Sequence, residues 1–547
     1  MFTRIVRTGA VLGLTALIGA CGTPAVAPLP TTAPTTVLVP TTAPAPTVVL
    51  MPTTAPERTV DLAAIDAFVN RMLAAYDVPG AAIAVVLPDG STYTKGYGVR
   101  DVTTGAPVTP NTQFAIASST KSFTALGVML LVEEGKIDLD APVTDYLPNF
   151  SLSDPAQTPN VTVRHLLLHT SGMVRNNAAT GNPTITRDEV VGLAAITPLN
   201  GAPGELHEYS NVNTVIAARI IEVVTGQSWE EFTRERILTP LGMDTTTLNT
   251  EDLQQQPDFA MPHERDLLTG MAPGAFINPG AEAPAAAVNA GAEEMVRYLQ
   301  FQLGDGTVNG TQLLSAANLA EMHRAQVELR DTGPVSESAW RAAEQGVPAP
   351  LSLTSDYGYG FYWYTEDFRG ERVAQHDGHG PGFTANISLA PDAEVGVAVM
   401  ANGNYTFGFV EAVRSFVLEE LLELEHTPDM FKVMEDQLAL AGRDQASVRA
   451  PSEAVRAFTP DAAQLEALAG SYTNLAAPEP ATVTVVDANS LQLDINSPMG
   501  PLNLRLLPVS DTRFLINTPP YRGFPVEFIA DAEGTLVQLN GFDIARR

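Results

Sequence analysis

The 547-residue chain reads as a mixed α/β protein that ends in an all-β module. Three observations predict this. Apolar runs of strand length fall at residues 81–86 and 93–99, and again at 357–364, 372–376, 384–389 and 395–401. Between these two groups, apolar positions recur at helical spacing, as in Val212–Val224 and Trp229–Leu238. From Asp461 onward, short alternating runs such as Ala481–Val486, Leu491–Ile495, Leu502–Leu507 and Val526–Ile529 are separated by turn residues. With 45% hydrophobic residues, a chain of this length can bury a large core.

Residues 1–21 carry Arg4 and Arg7, then an apolar run from Ala10 to Ala20 that ends Leu17-Ile18-Gly19-Ala20-Cys21. Charge, length and small residues before the break predict a secretory signal. The run is too short for a stable membrane span. Small residues directly ahead of a cysteine resemble a bacterial lipoprotein signal, which implies lipidation of Cys21 and a membrane-anchored envelope protein. The alternative is an ordinary signal peptide with a chance cysteine. Cys21 is the only cysteine, so no intramolecular disulfide can form. Residues 22–59 are rich in Pro, Thr, Ala and Val, with Pro-Thr-Thr-Ala-Pro at 30–34, 40–44 and 52–56. Proline at that density favours extended polyproline II over packed structure. At about 3.1 Å per residue the stretch reaches on the order of 100 Å.

The main region is expected over 60–426. Leu62, Ile65, Phe68, Val69, Met72 and Leu73 predict a helix over Leu62–Tyr76. Two strands follow, Ala81–Val86 and Tyr93–Val99, across the turn Pro88-Asp89-Gly90. Lys121–Val132 reads as a buried helix, and Phe409–Leu424 as a helix after the last strands. Arg330–Ser355 looks like a surface insertion, residues 427–460 like a polar helical connector, and 461–547 like the all-β module.

Ser118-Ser119-Thr120-Lys121 carries the chemistry. A serine and a lysine three apart share one face of a helix. A serine hydroxyl becomes a useful nucleophile when a neighbouring amine or phenolate takes its proton. Gln113–Ala117 is a short apolar approach, so Ser118 falls near a helix N-terminus, where free N–H groups favour a developing oxyanion. Of the four lysines (Lys95, Lys121, Lys136 and Lys432), only Lys121 has a serine three residues before it. Tyr209-Ser210-Asn211 and His376-Asp377-Gly378 follow in order. Taken alone, Tyr-x-Asn is weak evidence, since it recurs at Tyr472-Thr473-Asn474, where it reads as a strand end.

These three motifs in this order resemble those of the serine β-lactamase and penicillin-binding-protein superfamily, most closely its class C β-lactamase, D-aminopeptidase and carboxylesterase branch. The likeness runs from about Val60 to about Glu425 and takes in Gly135–Val143, Val163–Met173, Pro203–Glu208 and Pro381-Gly382-Phe383. It implies an antiparallel sheet built from both ends of the catalytic region, flanked by helices, with the helical middle inserted. It also implies that Ser118 is acylated, that Lys121 and Tyr209 move the protons, and that Asn211 meets the acyl side chain. Gly378 would let substrate approach a strand edge, and the N–H groups of Ser118 and His379 would form the oxyanion hole. His376 stands where β-lactamases and penicillin-binding proteins carry lysine. Histidine is mostly neutral at pH 7, so the likeness points to esters or D-amino-acid peptides and amides. A true class C-like β-lactamase or D-Ala-D-Ala carboxypeptidase is the alternative. The C-terminal module resembles the small barrel-like extension of some relatives.

The pair His165 and His169 has the spacing of zinc proteases, but Leu166 replaces the glutamate that such proteases need, so the pair reads as structural. No other cluster has metal spacing, and no cofactor is implied. The balance of 31 basic against 62 acidic residues, net −31, excludes nucleic acid as a natural partner. The aromatic run Tyr357–Tyr364 suits either a cleft lining or a core strand. A function of another class, a non-catalytic surface protein that holds a ligand, fits less well, since Ser118, Lys121 and Tyr209 are all intact.

Overall fold

The computed structural model describes residues 60–547 except 177–178, 180–183, 330–352, 405, 441–444, 476, 498–499, 519–521, 533 and 540–541. The expected signal, Cys21, the linker and most of the 330–355 insertion lie outside the described residues.

A nine-stranded antiparallel sheet organises the catalytic region. Its strand Gly80–Val86 pairs with Thr92–Asp101 on one side and with Val395–Ala401 on the other, in the register Ile83↔Val399. The sheet is therefore closed between the two ends of the region, as the family likeness implied. Every residue of Gly80–Val86 is buried. Its alternation divides it between two cores: Ala82, Ala84 and Val86 face one, and Ala81, Ile83 and Val85 the other. The second core is covered by the helices Leu62–Tyr76 and Phe407–Leu421, whose Phe68 and Phe416 rings stack with centroids 4.0 Å apart. The first core holds the inserted helices Lys121–Glu133, Asn211–Thr225 and Ala292–Leu303.

The aromatic run Tyr357–Tyr364 is not one strand. Thr354–Tyr359 ends before a tight turn at Gly360–Trp363, and Tyr364–Phe368 returns antiparallel to it. Tyr362 takes a φ of 58°, and a Cβ on Gly360 would meet the Met322 carbonyl at 2.4 Å, so backbone geometry breaks the run. Strand Glu371–Gly380 extends beyond the expected 372–376 and carries the whole His376–His379 stretch.

The C-terminal module is a closed eight-stranded antiparallel barrel, in which the first strand, Gly470–Asn474, pairs with the last, Phe542–Arg546. Closure removes the sheet edges, and side chains including Tyr472, Leu493, Phe514 and Phe528 fill the interior. Leu267, in the hairpin His263–Asp266 and Gly270–Pro273, packs with Leu507 and Leu515 of the barrel. Asn517 donates to Asp266 Oδ2 at 2.9 Å. Among the described residues no helix is long and apolar enough to cross a membrane.

Candidate active site

Ser118 lies in a single 3-10 turn, Ala117–Thr120, that runs into the helix Lys121–Glu133. The approach Phe114–Ala115 pairs with Asn289–Ala290, and Ile116 N–H donates to Val288 O at 3.0 Å. Ala117 then takes a φ of 45°, sterically costly for a residue with a Cβ. Side chains around the serine pin this turn. Ser119 Oγ donates to His376 O at 3.0 Å, and Thr120 Oγ1 accepts from Val288 N at 3.0 Å.

Lys121 is fully buried beneath the serine. Its Nζ donates to Ser118 Oγ at 3.2 Å and to Ala285 O at 3.1 Å. Burial drives its pKa down to about 7; the negative charge of Glu282 resists the fall and Arg175 adds to it. Tyr209 comes in from the segment before Asn211–Thr225, with its ring centroid 4.8 Å from Lys121 Nζ. Burial pushes its phenol well above the ordinary value, partly offset by a hydrogen bond from Ser118. The three residues are thus brought together, and burial weakens the amine's hold on its proton while it strengthens the phenol's.

Asn211 opens its helix, but the cap position belongs to Ser210 and no side chain caps it. Instead Asn211 Nδ2 faces Glu282 Oε2 at 3.4 Å, while Asn211 Oδ1 has no hydrogen-bond partner among the described residues. His376 is buried between Tyr209 and Tyr364, with ring centroids at 6.2 and 5.5 Å. Desolvation, reinforced by Lys121, lowers its pKa to about 3, so it is neutral throughout the physiological range. A Cβ on Gly378 would sit 1.9 Å from Ile116 O, so only glycine lets this strand lie against the serine turn. His379, one residue on, is exposed, and its ring packs 4.1 Å from that of Phe407.

His165 and His169 do not share a helix face. Helix Val163–Leu167 ends between them, and His169 adopts a φ of 54°. His165 closes a capping box with Thr162, a purely architectural role. His169 instead lies under the Tyr209 ring, at 4.6 Å between centroids. The aromatic segment backs the same place: Tyr359 and Tyr362 are fully buried against His169, at 5.6 and 5.0 Å. Sequence reasoning missed Glu282, the buried carboxylate beside Lys121 and Asn211. Its one signal is a lone acidic residue in the apolar stretch Pro279–Ala287.

A helix-covered antiparallel sheet with a serine, a lysine and a tyrosine gathered beside its strand Glu371–Gly380 is the architecture of an active-site-serine hydrolase. The profile of the Beta-lactamase family matches residues 65–421, and the chain belongs to that family. It is 31% identical over 369 residues to penicillin-binding protein 4 of Amycolatopsis lactamdurans, covering 66% of this chain and 90% of that one. It is 27% identical to the unguisins hydrolase ungD' of Aspergillus campestris, covering 85% and 86%. Among solved structures, the octameric penicillin-binding protein homologue from Pyrococcus abyssi shares the fold, with a TM-score of 0.57 at 24% identity, covering 89% of this chain and all of that one.

Proposed function

We propose that this protein is an exported serine hydrolase, tethered to a membrane through Cys21, that cleaves esters or D-amino-acid peptides and amides by way of an acyl-enzyme on Ser118. The observation that carries the reading of Ser118 is the 3.2 Å contact between Lys121 Nζ and Ser118 Oγ, with the Tyr209 ring centre 4.8 Å from the same Nζ. Ser118 Oγ attacks the substrate carbonyl carbon as its proton passes to the neutral amine of Lys121. Tyr209, protonated, gives its proton to the departing oxygen or nitrogen and is resupplied from Lys121. Water then repeats the cycle on the acyl-enzyme. The N–H groups of Ser118 and His379 receive the oxyanion, Gly378 leaves room for the substrate backbone, and Asn211 meets the acyl side chain.

Neutral His376 supports the choice of substrate, since it offers no cation to a substrate carboxylate. One observation favours the second reading, a β-lactamase or D-Ala-D-Ala carboxypeptidase: the guanidinium of Arg175 lies 5.7 Å from the centre of the Tyr209 ring and brings a cation to the site. Turnover of a p-nitrophenyl ester, a D-amino-acid amide and a cephalosporin by wild type and Ser118→Ala separates these readings. The expected result is ester or amide cleavage at least about 100-fold faster than cephalosporin cleavage, and all of it lost in Ser118→Ala. Fast cephalosporin cleavage would reverse the order of substrates. Undiminished activity in Ser118→Ala would exclude this serine.

A further inference from the structure

His169 is buried and neutral, and its ring packs against that of Tyr209. Its contacts bracket that tyrosine along the chain. The carbonyl of His169 accepts the N–H of Glu208 at 2.8 Å, on one side of Tyr209. Its Nδ1 accepts the N–H of Ser210 at 3.5 Å, on the other. Asn213 Nδ2 reaches the same Nδ1 at 3.4 Å, and the Ser171 hydroxyl, donating to Asn213 Oδ1 at 2.9 Å, turns the amide nitrogen toward the ring. The two donors share the single lone pair of Nδ1, which places the imidazole proton on Nε2, an atom with no hydrogen-bond partner among the described residues. The residue achieves this at a φ of 54°, a conformation in which most side chains are strained.

We propose that His169 is a positioning residue for Tyr209: its carbonyl and Nδ1 hold the peptide N–H groups on both sides of the tyrosine, and its ring floors the phenol. A histidine held in a strained backbone conformation by a two-sided clamp is more than core filling. The device fixes the reach of the phenol to Ser118, and an error of about 1 Å there costs about 100-fold in rate.

The inference rests on the reading of Ser118, Lys121 and Tyr209 as the reacting group, and the test keeps the two apart. His169→Phe keeps the ring and loses the acceptor. His169→Asn keeps an acceptor near Nδ1 and tolerates the positive φ. With a p-nitrophenyl ester, His169→Phe is expected to lose about 100-fold in kcat with KM within about twofold, and His169→Asn to stay within about fivefold of wild type. In a Tyr209→Phe background, His169→Phe should cost less than about threefold more, because the group it positions is gone. Equal rates for the two His169 variants, a loss that simply follows the melting temperature, or losses that multiply in the double variant would overturn the proposal. If His169→Phe does not fold, His169→Asn decides alone: kcat within about fivefold supports the clamp and a 100-fold loss refutes it. Ser118-dependent turnover in wild type preserves the catalytic reading whichever way His169 falls.

Discussion

Lys121→Met is expected to abolish turnover and, at the same time, to stabilise the fold at neutral pH. In the proposed mechanism the amine, 3.2 Å from Ser118 Oγ, takes the serine proton, and losing a general base costs about 100- to 10,000-fold. Its presence is also a thermodynamic burden. Burial brings its pKa from 10.5 to about 7, and each unit of such a shift corresponds to about 1.4 kcal/mol. The unfolded chain holds the lysine proton up to about 10.5, and the folded protein releases it near 7. Between those values the unfolded state binds more protons, so the lysine's penalty is fully present below about pH 7 and fades as pH rises toward 10.5. Methionine escapes the penalty but leaves the Ala285 carbonyl without its donor, a loss of about 1–3 kcal/mol. The net gain expected at pH 7 is about 2 kcal/mol, shrinking at pH 9.5. Urea unfolding of both proteins at the two pH values measures it. A variant that is less stable than wild type at pH 7, or whose difference from wild type does not change with pH, would contradict a buried neutral amine.

Gly378→Ala should be nearly as damaging, for a reason of shape alone. Its Cβ would stand 1.9 Å from Ile116 O and 2.9 Å from Ile116 C, and neither atom belongs to a side chain that can swing away. Strand Glu371–Gly380 must therefore move off the serine turn, breaking the bond from Ser119 Oγ to His376 O and drawing His379 away from Ser118. A shift of that size is expected to lower ester kcat/KM by about 100-fold or more. Gly380→Ala is the control, since its Cβ meets only Ala117 Cβ, at an ordinary 3.4 Å. It should stay within about threefold of wild type. Similar losses in the two variants would show that the close approach at Gly378 does not set the site.

Much of this site is legible in the sequence because its parts are local. Ser118 and Lys121 lie one helical turn apart, and the rarity of lysine singled out the pair. The strands were readable as runs. That Ala81 pairs with Ala401 could be anticipated only from the likeness to a family, because pairing over such a distance leaves no local mark. The boundary of the aromatic hairpin was missed for the opposite reason. Six aromatic positions hid a turn that depends on the positive φ of Tyr362 and the space at Gly360. Glu282 and His169 owe their importance to neighbours brought from other segments, Asn211 in one case and Tyr209 in the other. A pairwise spacing such as His165 to His169 even misleads, because the helix that would align the two ends between them.

The proposed hydrolase depends on the reactivity of one hydroxyl, and that can be measured directly. Wild-type protein treated with a fluorophosphonate and digested should yield a single modified peptide, carrying the adduct on Ser118, and Lys121→Met should slow its formation by about 100-fold or more. An adduct on any other residue, or hydrolytic activity that survives with Ser118 fully blocked, would contradict it.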